Sequence, residues 1–240
     1  MLLLAIDTSG KSGSLALTRA NNPTQAPGGL EWGTQDVEIL ELVPLAGRMY
    51  SAQIIPELQN ALSRQNLNKS DIDAYVVASG PGSFTGLRVG LSTVKALSEV
   101  LHKPIAAVSV LEAAARMTNA DGEVTVALDA GRKQVFVGAF DFDKDRKVRR
   151  SQESLVSLES FLGSQGRTNS QLFSPDQHIR EAAAVQGVTV AEVAVPQADT
   201  FARIGLWKLL AGEITPAETL EANYIRASDA ELFSLPKLMP

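Results

Sequence analysis

An α/β fold of two similar halves is predicted by three observations. Short apolar runs of strand length alternate with stretches of helical period. An apolar run ending in Asp, a Gly-bearing turn and an alternating second strand occur twice, at 2–18 and at 124–140. Each copy is followed by a third strand and then by helix, strand and helix, so the design repeats about half a chain later.

The elements follow in order. Leu2 to Ile6 is an apolar run that meets Asp7, and Thr8-Ser9-Gly10-Lys11-Ser12-Gly13 is a turn. Ser14 to Thr18 alternates, with Leu15 and Leu17 on one face, which completes a hairpin. Asn, Pro and Gly make 21–29 a loop, and 30–40 has the composition of a third strand with weaker alternation. From Ala46 to Gln65 the period becomes helical, with Ile54, Ile55, Leu58, Ala61 and Leu62 in one stripe. Pro56 inside that stripe predicts a late start or a kink. Ala74 to Ala78 is a buried strand, Gly80-Pro81-Gly82 a turn, Thr85 to Leu101 a helix, Ile105 to Val110 a strand and Leu111 to Met117 a helix.

The second half opens with Val124 to Asp129, a Gly-containing turn and the alternating Gln134 to Phe140. A strand near Arg149 to Val156, a helix near Leu158 to Leu162 and a short strand at Leu172-Phe173 come next. A helix near Gln177 to Gln186, a strand at Val188 to Val193 and an amphipathic helix from Thr200 to Leu210 complete the order.

Composition narrows the function. Lys and Arg number 22 against 27 Asp and Glu, a net charge of −5, which is a poor footprint for holding nucleic acid alone. There is no Cys, so disulfides, thiolate nucleophiles and Cys-ligated zinc are excluded. The N-terminal apolar stretch is short and lacks a basic region, and no run has bilayer length; the expected compartment is the cytoplasm, with no membrane partner. His102 and His178 stand apart in no metal-binding spacing, which predicts surface or capping roles. No G-x-S-x-G elbow is present, and Ser83 has no sequence-readable base. Lys144 to Arg150 reads as a solvated hairpin, with only Phe142 beside it for stacking on RNA.

The sharpest segment is GPGSFTGLRVG at 80–90. Strand, Gly-rich turn and helix in that order present helix N–H groups to an anion. The phosphate-loop pattern fails, because Leu87-Arg88 follow Gly86, and in the dinucleotide pattern the third Gly arrives one residue late. Gly86, Gly90 and Thr93 instead share a helical face of bare backbone, flanked by Leu87, Leu91 and Val94. That face packs either on the protein's own sheet or on a partner's helix. Asp7 and Asp129, each at a strand end, cap their turns in the plain reading. As a pair they outline a phosphate or Mg²⁺ site, with Thr8, Ser9 and Ser12 supplying hydroxyls and N–H groups.

Ala5-Ile6-Asp7-Thr8-Ser9, the 80–90 segment, Ala127-Leu128-Asp129-Ala130 and Tyr224-Ile225-Arg226 together resemble the TsaB (YeaZ) family of bacterial proteins, over most of the chain. The resemblance implies the two-lobed fold shared by actin, Hsp70 and sugar kinases (ASKHA), with duplicated βββαβα lobes. Residues 1–110 would form the N-terminal lobe and 111–198 the C-terminal lobe, with a helix near 199–227 packing back on the first. It also implies a non-catalytic role: binding and activating TsaD, the enzyme that makes N6-threonylcarbamoyladenosine at position 37 of tRNA, in an assembly that TsaE completes. The tRNA would be met only within that complex.

Departures from the wider fold shape the expected site. Ser9 stands where the ATPases prefer Gly, and Ser174-Pro175-Asp176 supplies no Gly pair for adenosine. TsaD-type enzymes hold a metal through two histidines near the first long helix, whereas 46–62 contains none and Tyr50 stands about where family members often carry one. Ala222 replaces the Pro of many relatives. Asp7, Thr8, Ser9, Ser12, Asp129 and Gly131 are therefore expected to form a vestigial phosphate site, with no catalytic residue, no metal and no cofactor of the chain's own. ATP or ADP with Mg²⁺ would sit, if anywhere, at the joint interface with TsaD. The expected interface is Ile54, Leu58, Leu62, Gly86, Leu87, Gly90, Leu91 and Val94, used for TsaD or, alone, for a homodimer. The runner-up is an autonomous ATPase or kinase working through Asp7 and Asp129; a metallopeptidase fails on missing ligands.

Overall fold

The period-2 segments pair into two five-stranded sheets of the same design. The computed structural model describes residues 1–20, 37–46, 49–143, 148–164 and 170–225, with only the backbone of 149–151. In the first sheet β1 (Leu2–Asp7), β2 (Gly13–Ala20) and β3 (Val37–Leu45) run antiparallel in sequence. β4 (Ala74–Gly80) and β5 (Ile105–Ser109) add parallel strands on the other side of β1, giving the order β3-β2-β1-β4-β5. In the second sheet β6 (Gly122–Gly131), β7 (Gln134–Phe142) and β8 (Val148–Ser157) are antiparallel. β9 (Gln171–Ser174) and β10 (Ala191–Glu192) are parallel to β6, in the order β10-β9-β6-β7-β8. Read from the opposite edge this is the first order again, so the repeat seen in sequence is a repeat of topology: the duplicated two-lobed ASKHA design.

Six α-helices cover the sheets among the described residues: α1 (Tyr50–Arg64), α2 (Phe84–Leu101), α3 (Val110–Met117), α4 (Leu158–Ser164), α5 (Gln177–Val185) and α6 (Ala198–Leu210). β1 is buried along its whole length because both faces of the first sheet are covered. On one face Leu4, Ile6, Leu15 and Leu17 meet α1 and α2; on the other Ala5, Ala16 and Val76 meet Phe201, Ala202 and Ile204 of α6. α3 divides its faces: Val110 and Ala113 join the α6 core, and Leu111, Ala114 and Ala115 pack on Val124, Val126 and the Phe136, Phe140 and Phe142 side of the second sheet. No described helix is long and apolar enough to cross a membrane.

The partner face expected from sequence is corrected here. Ile54, Leu58, Leu62, Leu87, Leu91 and Val94 are each no more than 5% exposed, within the core beneath α1 and α2. Gly86 and Gly90 press on β1: a Cβ at Gly86 would collide with the Thr8 carbonyl oxygen, and one at Gly90 would lie 2.5 Å from Thr8 Oγ1. The physical reason is that the sheet offers a continuous apolar face, Leu2, Leu4, Ile6, Leu15, Leu17, Tyr75 and Val77 among it, which takes up one stripe from each helix.

Smaller differences follow from packing. α1 runs unbroken from Tyr50 through Pro56, whose missing N–H frees the exposed Ala52 carbonyl to water. The third strand is assigned from Val37 to Leu45, later than 30–40; the loop expected at 21–29 lies outside the described residues, as do 30–36. The strand expected at 188–193 shrinks to Ala191–Glu192, because Val188 and Val190 join the helix-covered core around Ile179 and Ala183 rather than a ladder.

Candidate functional site

The ends of β1 and β6 open on one cleft of about 1290 Å³. From the first half it is lined by Asp7, Ser9, Lys11, Ser12, Gly82 and Arg88; from the second by Asp129, Pro175 and Asp176; and from the tail by Tyr224 and its neighbours. The two aspartates thus share a cavity, but their surroundings differ.

Asp7 is 4% exposed. Its Oδ1 accepts the Ser9 backbone N–H at 2.9 Å and the Ser9 hydroxyl at 2.6 Å. Burial pushes the Asp7 carboxyl up to about 6, against the downward pull of those bonds. The turn behind it is fixed from three sides. The Tyr50 hydroxyl donates to the Gly10 carbonyl at 2.9 Å, Ser83 N–H donates to the Ser9 carbonyl at 2.7 Å, and Ser14 Oγ accepts the N–H of Ala198 at 2.8 Å. Tyr50 therefore serves as a brace for this loop.

Asp129, by contrast, is exposed. Its Oδ1 accepts the Gly131 N–H at 2.8 Å and lies 3.6 Å from His178 Nε2, while its own N–H donates to Asp176 Oδ2 at 2.8 Å. Gly131 has φ +69° and builds the turn outside the cleft lining. Thr8 also departs from its expected role: its hydroxyl donates to the Gly86 carbonyl at 2.7 Å and is 2% exposed, so it fastens α2 to β1 rather than offering a ligand. Of the six expected phosphate-site residues, Asp7, Ser9, Ser12 and Asp129 line the cleft; Thr8 and Gly131 do not. These residues fit a self-contained Mg-nucleotide site poorly. One carboxylate is buried and held by its own loop, the other is held by Gly131, and Pro175-Asp176 adds a ring and a third acid where a glycine pair would admit a base. His102 is the left-handed C-cap of α2 and His178 sits on the first turn of α5, in the surface and capping roles expected of them.

A second candidate surface lies on the outside of α1 and α2. Val100 is 72% exposed and Ile55 43%. With Ser92, Ala96, Leu97 and Leu101 they line a shallow groove of about 440 Å³ between the helices. Sequence reading placed Ile55 in the buried stripe beside Ile54 and passed over Val100. The signal available was that adjacent Ile54 and Ile55 cannot both face the same sheet.

Two further features were not legible in sequence. Phe84, Arg88 and Tyr224 cluster at the cleft, with ring centroids of Phe84 and Tyr224 5.1 Å apart. Glu153 of β8 takes the Ser109 hydroxyl and, at 2.6 Å, the Asn223 side-chain amide, which ties the second sheet to the start of α3 and to the tail.

Comparison with known proteins finds relatives named for tRNA modification. The family model for TsaD, tRNA N6-adenosine threonylcarbamoyltransferase, matches residues 43–215. The chain is similar to the tRNA threonylcarbamoyladenosine biosynthesis protein TsaB of Bacillus subtilis, 34% identical over 143 residues (59% of this chain, 56% of the relative). The Escherichia coli protein of the same name is 30% identical over 149 residues (60% of this chain, 57% of the relative). These matches span about half the length of the curated relatives. In fold the chain is similar to YeaZ from Pseudomonas aeruginosa, with a TM-score of 0.68, 22% identity and coverage of 92% of this chain and 100% of that one.

Proposed function

The chain belongs to the family of the TsaD model, on its TsaB (YeaZ) branch, and from that premise we propose that it is a non-catalytic subunit of tRNA threonylcarbamoyladenosine biosynthesis. It binds TsaD through the outer face of α1 and α2 and activates it. The single observation that carries this reading is the mainly apolar groove with Ile55, Ala96 and Val100 facing solvent, Leu97 half-buried beneath them and Lys69 beside them, on two adjacent helices whose other sides are already satisfied by the sheet. Exposed aliphatic side chains on neighbouring helices suit a helix pair from another chain, in a four-helix contact burying roughly 800 Å² per partner. In the absence of TsaD the same face pairs two copies of this chain.

Support for the non-catalytic role comes from the residues themselves. α1 has no histidine, the chain has no cysteine, and Asp7 and Asp129 of the cleft are each engaged by their own turn. In this reading the chain carries no cofactor of its own, and ATP or ADP with Mg²⁺ belongs to the joint interface with TsaD. TsaE completes the assembly, which meets tRNA as a complex in the cytoplasm. The lobes divide at 110 and 198, and α6 belongs with the first.

Co-expression with the organism's own TsaD, size-exclusion chromatography and a tRNA-modification assay test the proposal. A stable complex and chain-dependent modification are expected; TsaD that modifies tRNA equally well alone would refute it. The runner-up, an autonomous ATPase, is favoured by the shared cleft of Asp7 and Asp129. Micromolar Mg-ATP binding by the isolated chain, lost in Asp7→Asn, would establish it instead.

A further inference from the structure

The 80–90 segment contains two side chains that its scaffold role leaves unexplained. Gly82, Gly86 and Gly90 answer to close approach by Ser9 and Thr8, Gly80 has φ +111° beside Leu87 and Asn223, Ser83 caps α2 by accepting the Gly86 N–H, and Leu87 is core. Phe84 and Arg88 do none of this. They stand one turn apart on the same side of α2 and both are exposed, Phe84 by 38%.

Tyr224, 44% exposed, joins them from the tail, its ring tilted 35° to that of Phe84. The Arg88 guanidinium carbon lies 3.8 Å from the Phe84 ring centroid, and Arg88 Nε donates to the Tyr224 hydroxyl at 3.1 Å. No described carboxylate pairs with Arg88, although Asp7, Asp129 and Asp176 line the same cleft. The cation is laid on a ring, with no compensating carboxylate among the described residues. The cluster is also held in advance: just before Tyr224, Asn223 N–H donates to the Ser79 carbonyl at 2.7 Å and its side-chain amide to Glu153 at 2.6 Å.

We infer that Phe84, Arg88 and Tyr224 form a stacking platform for an unpaired base of an RNA strand, with Arg88 and the exposed Lys11 of the same cleft facing its phosphates. This rests on the reading above that the assembly acts on tRNA. Open aromatic rings beside a planar, unneutralised guanidinium match the two parts of a nucleotide in a single strand, its flat base and its phosphate. Unlike the aliphatic groove between α1 and α2, this cluster offers two rings and a planar guanidinium, flat faces that suit a base. The cleft's carboxylates repel a phosphate moving inward from Arg88, which keeps the strand at the rim.

The test uses the full chain, alone and co-purified with TsaD, and follows fluorescence anisotropy of a short labelled single-stranded oligoribonucleotide and of the same strand in a duplex. Single strand is expected to bind in preference to duplex. Phe84→Leu and Tyr224→Leu should each weaken single-strand binding roughly 5- to 150-fold, and Tyr224→Phe should restore it. Arg88→Ala should weaken binding and lower the slope of log affinity against log salt by about 0.7, a change the aromatic variants do not make. Because these side chains are exposed, thermal melting should confirm an intact fold in each variant. No binding to the chain or its complex, or binding that ignores these substitutions, would overturn the inference. So would variants that lose TsaD and keep RNA, which would make the cluster a protein contact. Failure of the wild-type chain to hold TsaD is read separately, by co-purification, and bears on the proposed function.

Discussion

Replacing Ile55 and Val100 together by serine separates the outward face of α1 and α2 from the inward one. Fully burying a Val or Ile side chain is worth about 1.5–3 kcal/mol. With 72% of Val100 and 43% of Ile55 still exposed, covering both on docking contributes roughly 2–3 kcal/mol. The double variant should therefore weaken TsaD binding by roughly 30- to 150-fold. Its stability should fall by about 1–2 kcal/mol, from the already covered part of Ile55 and Val100, less than the loss expected for a core truncation. Leu58→Ala makes the opposite trade. Leu58 is 4% exposed among Ile54, Leu62 and Leu91, so its truncation should cost about 2–5 kcal/mol of stability. Its effect on partner affinity, measured where the fold is intact, should be small. Titration calorimetry with purified TsaD and thermal melting of each variant read the two quantities. Full-strength binding by Ile55→Ser/Val100→Ser would refute the reasoning.

Other substitutions probe the interior. Gly90→Ala places a methyl against Thr8 Oγ1 and should lower stability by about 1–3 kcal/mol; adding Thr8→Ala should recover part of the loss, and an unchanged melting temperature would contradict the packing. Asp7 has a folded-state pKa of about 6 above its ordinary 3.8, so the folded chain holds that proton more tightly than the unfolded one. Its contribution to stability is therefore full below pH 3.8, falls by about 3 kcal/mol as pH rises to 6, and is level above. Asp7→Asn should remove that slope, which urea unfolding across the same range will show; an unchanged slope would mean that Asp7 is not desolvated. The Tyr75 hydroxyl is buried in the first core with no hydrogen-bond partner among the described residues, so Tyr75→Phe should stabilise the chain by about 1–3 kcal/mol, read as a higher melting temperature.

How far the sequence reaches is clearest at particular residues. The repeat of Leu2–Asp7 in Val124–Asp129 was legible because a central strand covered on both faces is mostly apolar, and in each copy an Asp follows the buried run. Ser83 and Gly86 were legible as a strand–turn–helix junction for the same local reason. The direction in which α2 faces was not. Gly86, Gly90, Leu91 and Val94 form one stripe whether it meets a sheet or a partner, and only the apolar sheet face opposite decides it. Thr8 next to Asp7 had the composition of a phosphate loop, yet its hydroxyl is claimed by Gly86, 78 residues away. Tyr224 meets Arg88 across 136 residues, a pairing with no periodic signature.

The most direct measurement is threonylcarbamoyladenosine formed on tRNA, quantified by mass spectrometry, in reactions containing TsaD and TsaE with the wild-type chain, Ile55→Ser/Val100→Ser or Asp7→Asn. Action by docking predicts that the helix-face variant loses most of the modification and Asp7→Asn retains it. Loss with Asp7→Asn and full activity with the helix-face variant would place the chemistry in this chain's own cleft and contradict the account.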